Sequence, residues 1–455
     1  MDSESPEVLC VLKVLTVKTN ECKEAFSSVC IGNCLNGLQG MTSENAIVIE
    51  MLRALVLKVA KSPDVLTSQC VGSALMGVRR MNTLTTEVKT LLAILALKIN
   101  DSTLVLDPIS FSMALNGLRS MDESSVEMRA LLGTLGDKIN SMRETLLTPN
   151  VLSNALSGFR KLSGENPESR LVLHAILNKM GAAESTTVLG TARPIPMQFN
   201  SIEIGRALYG LQSMSAETCP DVLPMLKRLA VSVYTSKGPL YARDAGLALY
   251  GLKSHSEDYP DVKQVIAAIT ARLSLSVDIM NAKSVSMAMM GLQGLTSDSK
   301  EVCELLSLLS SRIGDLDSQA CGNILYSMKK MNSQKSEVRG FLKALVPKIE
   351  ACEGVMSSQE LANAFYGERG QCDRVLLFTL GGFAYFLLAS TKRTNFFSLP
   401  SFAHMWKFYL LCLPRFLRPS GLQGMDSTHA ETRNLLRVLT QKLLESKDST
   451  FTSQG

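Results

Sequence analysis

The sequence predicts an all-α fold, a right-handed α-α superhelix (solenoid) of about ten helix-pair repeats, each ~40 residues long. Two observations carry that prediction. The first is a short motif, A-L-x-G-L-[QRK]-x-M in outline, whose small residue falls at Gly37, Gly77, Gly117, Gly158, Gly210, Gly251, Gly291, Ser327 and Gly367. The successive spacings are 40, 40, 41, 52, 41, 40, 36 and 40 residues. The second is an upstream motif that reads EVKTLLAILALKI from Glu87, EMRALLGTLGDKI from Glu127, EVCELLSLLSSRI from Glu301 and EVRGFLKALVPKI from Glu337. Counted from the acidic residue, its apolar positions at +1, +5, +8 and +12 share one side of a helical wheel, which marks an amphipathic helix.

Each unit therefore opens with helix A, the amphipathic motif, and closes with helix B, which carries the small residue. Ser, Asp, Asn and Pro between them, as in MDESSVE or HSEDYPD, supply turn and N-cap chemistry. A single hairpin of this size cannot bury its own apolar face, so units must stack. Ala74, Ala114, Ala155, Ala207, Ala248, Ala288 and Ala364 sit three residues before the small position, on the same face. That Ala/Gly strip is where a neighbouring helix can come close, and a Gly inside a helix, at about 1 kcal/mol relative to Ala, needs such a reason. The fifth unit departs from the period. Residues Ala182 to Ser201, with their Ser, Thr and Pro content, read as a longer surface loop between its two helices.

The pattern breaks after Gly367 and resumes at Gly421, dividing the chain into a solenoid at 1–367, an atypical insert at 368–420 and a continuation at 421–455. Removing 54 residues restores AFYGLQGM. The insert holds eight of the fifteen Phe, the only Trp, seven basic residues and two acidic ones. It reads in three ways: a membrane span, an inserted loop or translated intron sequence. As a span, Val375 to Ser390 falls short of the roughly 20 apolar residues a crossing needs. As a loop, its aromatics have no evident partner surface. Intron sequence is the favoured reading, because Gly367-Glu368 and Ser420-Gly421 permit splice-site-like codons. Since TFTSQG stops inside the repeat register, the whole also reads as a piece of a longer protein.

Composition narrows the function classes. With 46% apolar and 20% charged residues the chain is neither disordered nor collagen-like, and eleven scattered Cys without a CxxC pair fit a reducing compartment. The net charge of +5 comes entirely from the insert, so the repeat array is neutral and any binding of an anionic partner must depend on how charge is arranged. His174, His255, His404 and His429 lie far apart, and no nucleophile, phosphate loop or metal-ligand spacing emerges, so neither catalysis nor a cofactor is expected. His255 stands where other units have Met41, Met81 and Met121, which makes it a packing residue. Cys30 and Cys34, four apart on one helix, read as small buried residues.

Two polar columns remain. Position +11 of helix A is Lys18, Lys58, Lys98, Lys138, Lys179, Arg272, Arg312, Lys348 and Lys442, with Ser232 the exception. Stacked units would align these into a stripe able to track phosphates, though basic residues in the last turn of a helix also complement its dipole. The second column lies two residues after the small position: Gln39, Arg79, Arg119, Arg160, Gln212, Lys253, Gln293, Lys329 and Gln423. Long hydrogen-bonding side chains that vary between units suit a modular base reader, and they equally suit a solvated last turn.

SIEIGRALYGLQSM from Ser201 and SSQELANAFYG, with LQGM beyond the insert, resemble the second helix of octotricopeptide repeats and their relatives in RAP-domain proteins. The family's aromatic position matches Tyr209, Tyr250, Tyr326 and Tyr366 here, and Asn36, Met76, Asn116, Ser157 and Met290 in other units. The resemblance spans about 400 residues, every unit without the insert. It implies an RNA-binding solenoid that acts on single-stranded mitochondrial or plastid transcripts in their maturation, stability or translation. The tyrosines themselves read in two ways, as platforms that stack on bases and, the more common fate of such residues, as packing between units. The acidic start MDSESPE is no transit peptide. A protein-interaction scaffold, holding its partner along the concave face, is the competing function, and a membrane role is not expected. An RNA binder should carry the Gln/Arg/Lys column and a basic column on one continuous concave face.

Overall fold

The computed structural model describes residues 5–101, 105–142, 147–185, 197–353, 356–365 and 428–445, and these are all helix and short connection. Six helix pairs come first: α1 (Pro6–Glu21) with α2 (Ser28–Asn36), α3 (Ala46–Lys61) with α4 (Ser68–Gly77), α5 (Thr86–Asn100) with α6 (Pro108–Gly117), α7 (Val126–Asn140) with α8 (Pro149–Leu156), α9 (Pro167–Ser185) with α10 (Ser201–Gly210), and α11 (Val222–Thr235) with α12 (Ala242–Tyr250). Then follow α13 (Pro260–Leu273), α14 (Ala282–Gly291), α15 (Lys300–Ser310), α16 (Ser318–Ser327), α17 (Ser336–Glu350), α18 (Ser358–Phe365) and α19 (Ala430–Glu445). The chain forms two compact bodies, Met1–Val277 and Asp278–Gly455.

Within each body the helices stack in two layers, A on A and B on B: α2, α4, α6, α8, α10 and α12 follow one another in the first, as do α14, α16 and α18 in the second. This is the all-α solenoid packing that the repeat demands. The helix A stripe faces the interior, with Val88, Leu92, Leu95 and Ile99 fully buried. Local chemistry sets the helix starts. The B helices begin on Ser27, Thr67, Asp107, Thr148, Asn200, Asn281 and Asp317, each accepting a backbone N–H from inside the first turn.

The small residue of the motif closes helix B; it does not sit in mid-helix. Gly37, just after α2, keeps right-handed helical dihedrals, and the one positive-φ glycine among the described residues is Gly164. The glycine requirement is therefore one of space. A methyl group placed on Gly77, Gly117, Gly158, Gly210 or Gly251 would lie 2.0, 2.1, 2.3, 2.0 or 2.1 Å from the carbonyl oxygen of Leu35, Leu75, Leu115, Leu156 or Leu208 in the preceding unit. A second small position, five residues earlier, meets the following unit: Gly72 abuts Ser110, Gly205 abuts Asp244 and Gly322 abuts Glu360, all backbone to backbone. The sequence reading missed this second contact, although Gly32, Gly72, Gly205, Gly246 and Gly322 recur at that offset.

In the fifth unit, helix α9 runs on to Ser185, so Ala182–Ser185 belongs to a helix and not to the expected loop. Residues 186–196 and the insert at 368–420 lie outside the described residues. Beyond the insert, α19 stacks on α17, and Lys442 Nζ donates to the Cys352 carbonyl at 2.8 Å, 90 residues away. Lys98 makes the same contact with Ser62 at 2.7 Å across only 36 residues, so the two separations differ by the 54 residues that interrupt the motif. The stack across this junction is indifferent to what connects it. A chain lacking residues 368–421 is expected to fold with all the described helices and to melt no lower than the full chain. Circular dichroism of the two chains side by side checks this, and a deletion variant without cooperative melting would refute it.

Candidate nucleic-acid interface

Helix B packs against the B helices on either side, and at α2 and α12 also against the helix A that follows, which leaves one outward ridge. The ridge holds the residues eight, four and one before the small position and two after it. In the third unit these are Ile109, Met113, Asn116 and Arg119, exposed or half-buried between fully buried neighbours. Across the described B helices the ridge positions include Arg79, Arg119, Arg160, Arg206, Arg243 and Lys253 in the first body and Lys283 and Lys329 in the second, and no acidic residue. A neutral array thus concentrates positive charge on one element of most units, from Arg79 onward. Arg206, Arg243 and Lys283 escaped the sequence reading because it followed only two columns. Extending the helical period back from the small residue would have found them.

The column two residues beyond the small position has a mixed fate. Gln39 and Arg160 are exposed, and Arg79, Arg119, Lys253, Gln293 and Lys329 are half-buried. Arg79 Nε donates to the Gln39 carbonyl of the preceding unit at 3.2 Å. Gln212 is a correction. It is only 5% exposed, and its side-chain amide donates to the Arg160 carbonyl at 3.1 Å, so it joins units and cannot read a base. Gln423 and Tyr366 lie outside the described residues.

Of the tyrosines, Tyr209 and Tyr250 are half-buried neighbours on successive B helices, ring centroids 5.7 Å apart and tilted by 41°. The Arg160 guanidinium lies 5.1 Å from the Tyr209 ring centre, and the Lys253 ammonium 4.7 Å from that of Tyr250. In the second body Lys329 sits 5.0 Å from the Tyr326 ring. These side chains pack between units and also show ring surface at the ridge, so the two fates weighed for them are not exclusive.

Arg119 is the electrostatic centre of the first body's ridge. Burial of its guanidinium and the charges of Arg79, Arg160, Arg206 and Arg80 hold its pKa below the usual arginine range. Its guanidinium makes no hydrogen bond or ion pair among the described residues, whereas Arg80 donates to the Gly40 carbonyl and Arg206 to Asn154 Oδ1.

The basic column of helix A is committed elsewhere. Lys58 donates to the carbonyl of Cys22, Lys98 to that of Ser62, Lys179 to those of Asn140 and Met142, Arg272 to that of Tyr234, and Lys442 to that of Cys352. Each acceptor lies at or just past the C-terminus of the preceding unit's helix A. These side chains therefore cap the carbonyls of a neighbour's helix, a role distinct from both phosphate tracking and service to their own helix dipole. Lys348 pairs with Asp315 at 3.1 Å, Lys18 pairs with Glu21 at 2.8 Å, and Arg312 is buried with Nη1 unpartnered among the described residues. Lys138 is half-buried. The helix A column therefore does not join the Gln/Arg/Lys column on one face, and the expected pairing of those two columns is not met; the cations beside that column are the ridge's own Arg206, Arg243 and Lys283.

Other reactive groups are scattered. Among the described residues no three His, Cys, Asp or Glu side chains come together as a metal site, and no helix is long and apolar enough to cross a membrane. His174 pairs with Asp221 at 3.1 Å, and His255 is buried. Glu123 is buried, but it accepts from the Ser163 backbone N–H at 2.8 Å and from the hydroxyls of Ser163 and Ser169, joining units as the Ser43 hydroxyl does for Asn82. Cys30 is exposed and Cys34 half-buried, against the expectation of burial. In later units those positions face the preceding B helix, and α2 has none against it among the described residues. No family model matches the chain, and no curated protein matches it.

Proposed function

We propose that this chain is a non-catalytic adaptor that binds single-stranded RNA along the ridge of its B helices. The observation that carries the reading is the ridge composition: arginine, lysine, tyrosine, asparagine and glutamine recur there, and acidic residues do not, in an array whose total charge is zero. Single strands offer phosphates to cations and bases to aromatic faces and amides, which is this inventory. Variation between units at the position before the small residue (Asn36, Met76, Asn116, Tyr209, Tyr250) gives these units different surfaces for a base, whereas Ser157 is buried there. The likeness to octotricopeptide repeats supports the same function and suggests organellar transcripts as targets.

Crosslinking in cells followed by sequencing of recovered RNA tests the reading. The expected result is enrichment of a limited set of single-stranded sites. In solution, affinity for an unstructured RNA should fall steeply as salt rises from about 50 to 200 mM, because cations on the ridge release the strand's counterions. RNA binding without salt dependence, or recovery of a protein partner and no RNA, would favour the scaffold function instead.

A further inference from the structure

Resting on the RNA-binding reading, we propose a division of labour along the first body's ridge: Arg79, Arg119 and Arg160 hold successive phosphodiesters of the strand, and the Tyr209–Tyr250 pair takes its bases. Three observations lead there. These arginines occupy the same position in consecutive units, and backbone contact at Gly117 and Gly158 brings their helices together at the short end of the usual interhelical range, about 8 Å. Their mutual repulsion has no carboxylate to relieve it on the ridge, and the Arg119 guanidinium has no hydrogen-bonding partner among the described residues. An anion with several oxygens is the complement such a guanidinium wants, because its fork of N–H donors matches phosphate geometry. Aromatic side chains are absent from these three units' ridge positions and begin at Tyr209, whereas cations run on through Arg206, Arg243 and Lys253, so rings are confined to the later units and cations are not. Base preference should reside with the tyrosine-bearing units, and salt dependence should include the three ring-free ones.

The repeat itself supplies conservative variants. Gln is the native residue at the Arg119 position in Gln39 and Gln293, and Asn is native at the Tyr209 position in Asn36 and Asn116. Full-length wild type, Arg119→Gln, Arg119→Lys and Tyr209→Asn are titrated with a fluorescent mixed-sequence RNA of about 12 nucleotides at several KCl concentrations. Arg119→Gln should lower the slope of log K against log salt by about 0.7, one phosphate contact on a single strand, and weaken binding about fivefold at 0.1 M salt irrespective of sequence. Arg119→Lys should keep the slope. Tyr209→Asn should keep the slope and change the ranking of homopolymer RNAs. An unchanged slope in Arg119→Gln, with wild-type melting, overturns the proposal.

A second arm separates this failure from failure of the RNA reading. Inorganic pyrophosphate should raise the melting temperature of wild type and not of Arg119→Gln. That result in a protein that binds no RNA would keep the anion site and remove the RNA function. No response to pyrophosphate and no change of slope removes the site.

Discussion

Replacing His255 by methionine is expected to stabilise the protein and to flatten its stability profile on the acid side of neutrality. His255 is 3% exposed, and neither ring nitrogen has a hydrogen-bond partner among the described residues. Burial pushes its pKa down from 6.5 to about 4. The folded protein then binds fewer protons than the unfolded chain wherever the pH lies between those values. Stability from the neutral ring is fully present above pH 6.5, is lost as the pH falls toward about 4, and levels off below it. The amplitude is on the order of 3 kcal/mol, from 1.36 kcal/mol for each pKa unit. Met41, Met81 and Met121 fill the same place in other units at 2% exposure or less, so methionine fits the site's shape. Urea denaturation at pH 7.5 and 5 should show a steep loss for wild type and a much smaller one for His255→Met. Parallel losses in the two proteins would assign the pH dependence to other groups.

Alanine at Gly117 is expected to destabilise the array, and alanine at Gly340 to stabilise it, although both replace a helical glycine. Helix propensity alone favours alanine, by about 1 kcal/mol at Gly340 inside α17 and by less at Gly117, the last residue of α6. At Gly340 the added methyl meets nothing within 4 Å, so that gain should appear nearly whole. At Gly117 the methyl would lie 2.1 Å from the Leu75 carbonyl oxygen and 2.3 Å from its carbon. Neither is a side chain that can turn aside, so α4 and α6 must separate along their length. Overpacking of this kind costs about 1–3 kcal/mol, and the further loss of stacked surface outweighs the propensity gain. Because units touch only their neighbours, the damage should also divide the urea transition, with the first two units unfolding before the rest. A single transition at a higher midpoint for Gly117→Ala would show that the contact is looser than described.

Much of this was legible in the sequence because a repeat states each packing rule many times. The glycine period announced close helix approach, and the structure adds that it is contact between backbones at the end of helix B. The apolar stripe of helix A and the Ser, Thr, Asp and Asn caps fell where local chemistry put them. What escaped was the destination of long polar side chains. Lys98 looks alike in sequence whether it turns toward its own helix end, toward solvent or toward the Ser62 carbonyl of the unit before. Only the stacked arrangement brings that carbonyl within reach. Gln212 misled for the same reason, since its amide satisfies a neighbour's carbonyl and is lost to any ligand. The ridge cations Arg206, Arg243 and Lys283 were legible and unread, because a helical face has more than one column.

The glycine-to-carbonyl junction, repeated with nearly the same geometry from Gly77 to Gly251, also bears on how such a gene can change. Each unit carries both halves of the junction at the end of helix B, the glycine that meets the unit before and, two residues earlier, the leucine carbonyl that meets the unit after. A copied unit therefore arrives able to join whatever stands before and after it, without compensating substitutions. Lengthening by duplication should be nearly neutral for folding, as should interruption between helices, and natural variation would accumulate as whole units and as foreign segments at connections. Change in ligand preference could then follow separately, one ridge position at a time.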